Sequence, residues 1–169
     1  MKSIQTISPL GKCKVIMLSA CLFTIAAPTA FALPTAGANG NYQFSQLRGK
    51  PGQTNWSVVD ADPKGLNCRM AKQYRSFSMD GANTPATLYI NNVHKIYDWS
   101  IVSTFRKNER MQAVTGNMGR NQIVLIDDRG LAWIPVSAPK NAQAKNCFVR
   151  ANSQFIKPIK EDQFGKALE

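Results

Sequence analysis

Past Ala27 the apolar residues of this chain come only in short runs, each closed within a few residues by Gly, Pro, Asn or Asp. That punctuation leaves no room for amphipathic helices of ordinary length and favours brief strands joined by tight turns. The candidate strands are residues 56–59 (WSVV), 66–70 (LNCRM), 100–105 (SIVSTF), 111–115 (MQAVT), 122–126 (QIVLI) and 131–136 (LAWIPV). Between them, Asp62-Pro63-Lys64-Gly65, Gly116-Asn117-Met118-Gly119 and Asp127-Asp128-Arg129-Gly130 read as turns, the last a hairpin loop ending in a Gly suited to positive φ. The run 122–126 is apolar on both faces, which predicts a central strand. Pro135 predicts that its own strand ends or lies at an edge. A final pair, 147–150 and 155–159, is expected to close the domain. Residues 71–92 are mixed and Asn-rich and carry no readable element. The fold class expected is all-β, a small barrel or sandwich.

The first 32 residues read as an address rather than as structure. Lys2, Lys12 and Lys14 precede an apolar run at 15–27 (VIMLSACLFTIAA), and Pro28 and Ala30-Phe31-Ala32 follow it. The run is shorter than the ~20 residues a membrane span needs. A basic start, a short apolar stretch and an A-x-A end predict a secretory signal peptide cleaved after Ala32. The alternatives are a buried N-terminal helix, or lipidation at Cys21 within Leu18-Ser19-Ala20-Cys21. The expected organisation is a signal at 1–32, a flexible Gly-, Asn- and Pro-rich leader at 33–53, a folded domain at 54–159 and a polar tail at 160–169. The expected location is periplasmic or secreted, with no transmembrane segment after cleavage.

Cleavage would leave 137 of the 169 residues, lower the formal charge from +11 to +8, and keep only two cysteines, Cys68 and Cys147. Two cysteines in an exported chain predict one disulfide; the alternative is a pair of buried thiols. Closing a loop of about 80 residues is worth roughly 4–5 kcal/mol.

Several segments resemble bacterial SH3-like domains. Gly65-Leu66-Asn67-Cys68-Arg69 is similar to their G-L-N-V-R opening, and residues 101–107 (IVSTFRK) to the strand and basic turn that follow. Residues 132–136 (AWIPV) resemble a later Trp-bearing strand, and 147–156 (CFVRANSQFI) the closing G-W-V-x-x-x-Y-L segment. The chain departs from the pattern at Cys68, at Met70-Ala71-Lys72, at Asn108-Glu109 where a Gly turn is common, and in the long stretch 71–99. The resemblance, strongest to small exported cyanobacterial members, implies a small SH3-like barrel whose terminal strands bring Cys68 near Cys147. It also implies association with the cell wall or envelope.

Chemistry is sparse. His94 is the sole imidazole, so a Ser-His-Asp or Cys-His site has one possible base and no readable nucleophile beside it; a surface position in a polar loop is expected. No second His and no C-x-x-C supply a metal set. Asp127 and Asp128 are adjacent, which suits a turn better than a pair of acids flanking a substrate. No phosphate loop is present. Arg106, Lys107 and Arg110 cluster, as do Lys64, Arg69, Lys72 and Arg75, yet no block of five or six cations exists. Of the aromatics Trp56, Tyr74, Tyr97, Trp99 and Trp133, most are expected in the core and Trp99 at the surface.

The function expected is an exported, non-catalytic binding module, without cofactor or metal. Its partner would be a cell-wall or envelope polymer, peptidoglycan peptides among them, or an envelope protein, and not nucleic acid. The candidate ligand-binding residues are Trp99, Arg106, Lys107 and Arg110. One alternative is a cationic binder of acidic envelope polymers working through surface charge; another is a small secreted hydrolase or inhibitor.

Overall fold

Among the described residues, eight short strands form two antiparallel sheets. A computed structural model describes residues 33–47, 54–79, 84–88, 93–115 and 123–160. In chain order the strands are β1 (Asn55–Val58), β2 (Leu66–Met70), β3 (Ser100–Phe105), β4 (Arg110–Gln112), β5 (Leu125–Ile126), β6 (Ala132–Ser137), β7 (Asn146–Arg150) and β8 (Ile156–Pro158). One sheet has the order β4-β1-β8 and the other β3-β2-β7-β6-β5. The signal-peptide and Cys21 readings, the turn at 116–119 and the tail beyond 160 lie outside the described residues. No helix among the described residues is long and apolar enough to cross a membrane.

The all-β expectation holds, but the barrel does not close. Ladder pairing leaves β3 and β5 at the edges of one sheet and β4 and β8 at the edges of the other. The sheets meet at a corner where Ala113 bridges Val136 and the Val114 N–H donates to the Pro135 carbonyl at 2.9 Å. A single bridge joins backbones without extending a ladder. The expected final pair also separates: β7 lies in the larger sheet and β8 pairs with β1 in the smaller.

Period-two alternation in β2 explains how the core is divided. Leu66, Cys68 and Met70 are buried, in one cluster with Trp56, Val58, Met111 and Ile156 of the smaller sheet. Asn67 and Arg69 therefore point to the other face. Cys68 and Cys147 stand on neighbouring strands and are joined as predicted, with Cα atoms 5.4 Å apart.

Two strand positions differ from expectation. The run 122–126 forms only the two-residue β5, at an edge rather than the centre; its apolar character follows from burial of Ile123, Val124 and Leu125 in the core. The free side of this edge is covered where His94 bridges Asp127 in parallel. Pro135 lies inside β6, opposite Phe148 of β7. Its carbonyl faces away from β7, toward Val114, so its missing N–H falls on the side where β5 has already stopped pairing. The proline thus marks a local edge within an inner strand.

The leader expected to be flexible is docked over residues 33–47. Ala36 bridges Tyr42, Asn41 bridges Asn152, and a single turn of helix, α1 (Phe44–Leu47), follows. Tyr42 and Leu47 are buried; the Tyr42 ring meets Trp56 edge-on at 5.1 Å and its hydroxyl donates to the Ile156 carbonyl at 2.9 Å. Burial pushes the Tyr42 phenol up to about 12. Polar composition alone hid two large apolar anchors.

Candidate functional site

The β5–β6 hairpin is organised by a buried carboxylate. Asp127 Oδ1 accepts from the backbone N–H groups of Arg129 (3.0 Å) and Leu131 (2.9 Å), which closes the turn and places Gly130 at φ 72°. Asp127 Oδ2 accepts from Trp133 Nε1 (3.0 Å) and Arg129 Nη2 (2.8 Å). Burial by itself would raise the Asp127 pKa, but these bonds outweigh it and hold the carboxyl below its ordinary value. The turn expected at Asp127-Asp128 is therefore present, and Asp127 additionally anchors a guanidinium and an indole.

That guanidinium is the first of three gathered on one face of the larger sheet. Arg129 stacks 3.8 Å above the Tyr97 ring, whose hydroxyl donates to Asp128 at 3.0 Å; this bond, with burial, raises the Tyr97 pKa. Arg69 lies opposite Phe148, and Arg150 opposite Trp133. Directly paired residues share a face, and Phe148 and Arg150 are two apart, so all four side chains rise from the same surface. Arg69 Nη1 donates to the Trp99 carbonyl at 2.8 Å. Arg150 Nη1 donates to the Ala132 carbonyl at 2.8 Å and its Nη2 to Asn41 Oδ1 at 2.6 Å, above the Trp133 indole.

The three cations feel one another. Burial lowers the pKa of Arg69, Asp98 offsets this, and Arg129 adds to it; for Arg150, burial and Arg129 lower it against Asp127. Among the described residues the one ion pair is Arg129–Asp127. Arg69 Nε and Nη2, Arg129 Nη1 and Arg150 Nε have no partner among the described residues.

These groups line a groove of about 630 Å³ floored by Leu131, Trp133 and Phe155. Asn67 and Gln154 also line it, and Asp60 and Asp62 stand in the loop that leads into β2. That loop is held by two short carboxylate turns, Asp60 Oδ1 with the Asp62 N–H (3.0 Å) and Asp62 Oδ1 with the Lys64 N–H (2.8 Å). It ends at Gly65, with φ 84°, where a Cβ would stand 2.5 Å from the Phe105 carbonyl oxygen.

The residues singled out from sequence are not brought together. Trp99 is half-buried, its ring against Tyr74, His94 and Phe148. Arg106 and Lys107 are exposed in the β3–β4 turn, and Arg110 is half-buried in β4 opposite Ser57. Six residues of extended chain, about 20 Å, separate Trp99 from that turn. Trp99 alone adjoins the groove, through its carbonyl. The signal for Arg69 and Arg150 lay in their setting: each is the lone charged residue of a short strand whose neighbouring residues are buried, where burial demands partners.

His94 is not the surface side chain expected. Its ring packs edge-on against Trp99 at 5.4 Å, and its Nε2 is buried without a partner among the described residues. Burial lowers its pKa, against a hydrogen bond with the Leu88 backbone. Of the other aromatics, Trp56, Tyr74 and Trp133 are in the core, while Tyr97 and Trp99 are partly exposed.

Comparison with family models, with curated proteins and with solved structures gives no match to this chain.

Proposed function

We propose that this protein is an exported, non-catalytic binding module that docks onto a cell-wall or envelope component through the arginine-lined groove. The observation that carries the reading is the set of open guanidinium N–H donors of Arg69, Arg129 and Arg150, held in position around the Trp133 indole. A rigid cationic cluster over an apolar floor recognises anionic groups without reorganising, because its side-chain entropy is lost on folding rather than on binding. The signal-like N-terminus supports export. The SH3-like resemblance at residues 65–69, 132–136 and 147–156 supports an envelope partner.

Co-sedimentation of the protein with isolated wall sacculi across a salt series tests this. The wild type is expected to pellet at high salt, and Arg69→Gln to lose most of that pelleting. Pelleting that vanishes at moderate salt and is indifferent to Arg69 would favour a charge-driven surface instead. No pelleting at any salt would remove the wall as partner.

A further inference from the structure

The larger sheet has one long side left open. β3 is an outer strand of six residues that pairs with β2 alone. Its other side carries backbone N–H and C=O groups with no hydrogen-bond partner among the described residues. The remaining sheet edges are short and engaged. β5 has two residues and is flanked by the bridge from His94 to Asp127. β4 has three and runs directly into the Ala113–Val136 bridge. β8 also has three, and the Tyr42 hydroxyl occupies its Ile156 carbonyl.

An open edge is a template for another strand unless proline or charge blunts it. β3, with the sequence SIVSTF, holds neither. Val102, the residue passed over in the register with β2, bends the strand while its side chain stays in the core, and Ile101 is left 48% exposed.

Charge sits at the two ends instead, with opposite sign. Asp98 is exposed ahead of the strand, and Arg106 and Lys107 are exposed directly after it. None of these three side chains makes an ion pair or a hydrogen bond among the described residues. Residues 98–107 thus run from an anion to two cations across a neutral strand.

Such a strand is complementary to itself run in reverse. Antiparallel pairing about a two-fold axis sets the start of each strand level with the end of the other. Asp98 of each copy then meets Arg106 and Lys107 of the second, whereas in-register parallel pairing would oppose like charges. We infer that β3 is a self-association surface, through which two copies of this chain join their larger sheets edge to edge and antiparallel. Main-chain hydrogen bonds supply the contact, and the end charges select a second copy over an unrelated strand.

Sedimentation velocity across a concentration series tests this. The wild type is expected to pass from monomer to dimer as concentration rises. Asp98→Arg, and separately Arg106→Asp with Lys107→Asp, each place like charges at both ends of a two-fold dimer and should weaken association about tenfold or more. Mixing the two variants in equal amounts should recover it, because the mixed dimer restores opposite charges at both ends. Recovery on mixing is the decisive result. A wild type that stays monomeric throughout overturns the inference, as does association unmoved by either variant or lost in both and not recovered on mixing. Hydrogen exchange supplies a reading independent of charge. The outward amides of β3 should exchange fast in the monomer and slowly in the dimer; protection already present in the monomer would mean that another part of the chain covers this edge, and overturns the inference.

Discussion

Replacing Asp127 by Ala would strand the Trp133 indole N–H and two backbone N–H groups in a site with no exposed side-chain surface. An unsatisfied buried donor costs about 1–3 kcal/mol. The variant should therefore lose roughly 3–5 kcal/mol in urea denaturation, while Asp127→Asn, which keeps an acceptor oxygen, should lose less. Acid should reveal the same residue. The folded Asp127 has a pKa below its ordinary 3.8, so its contribution is present above that pH and is lost as pH falls through the folded value. His94, lowered from 6.5, has the same sign: its contribution is complete above 6.5 and declines as the ring is forced to protonate. Stability measured from pH 7 to 5 should fall in the wild type and stay flatter in His94→Phe, which retains a ring against Trp99. Two glycines supply a further contrast. Gly130→Ala meets nothing within 4 Å and should cost only the positive φ, about 1–2 kcal/mol, whereas Gly65→Ala also drives a Cβ into the Phe105 carbonyl and should cost more. Thermal melts of the pair decide it.

Turn chemistry places the elements more securely than apolar character does. Asp62-Pro63-Lys64-Gly65 and Asp127-Asp128-Arg129-Gly130 are turns, with Gly65 N–H bonded to the Asp62 carbonyl and Gly130 N–H to that of Asp127, each at 2.9 Å. Asn108 adopts φ 68° in the β3–β4 turn, a left-handed conformation that Asn tolerates better than most residues. Apolar runs mislead because burial is shared among strands, loops and the segment that covers the sheet. Ile123 and Val124 are buried without belonging to a strand. The docked segment 33–47 shows the converse, a polar stretch with Tyr42 and Leu47 as anchors. Tyr42→Phe should cost about 1 kcal/mol for the lost bond to Ile156. Tyr42→Ala, which also uncovers Trp56, should cost about 3 kcal/mol or more in the same denaturation assay.

In the molecule as a whole, one covalent link and one polar face divide the work of the larger sheet. Cys68 and Cys147 tie β2 to β7 across 79 residues, and losing the bridge should cost about 4–5 kcal/mol on the loop-entropy account. Comparison of Cys68→Ala/Cys147→Ala with the wild type checks this; the substituted protein should unfold at markedly lower denaturant. The opposite face of the same strands carries Arg69, Arg150 and Trp133, covered in part by Trp99 and Tyr74 from the long stretch 71–99.

All-β character, most strand positions and the cysteine pairing were legible in the residues themselves. Each depends on local patterning, turn residues or a count of two thiols, and none needs the partner of a strand to be known. Closure, strand order and the groove were not legible. Whether β5 is central or an edge, and whether β7 meets β8 or β6, depends on contacts between residues far apart in the chain. The groove is the clearest case, because Arg69, Arg129 and Arg150 are scattered along the chain and only the register of β2, β7 and β6 sets them around one indole. Trp99, Arg106, Lys107 and Arg110 are near in sequence yet lie on either side of a six-residue strand. An extended strand carries sequence neighbours apart while its pairing draws distant residues together, so tertiary structure alone decided which charges meet.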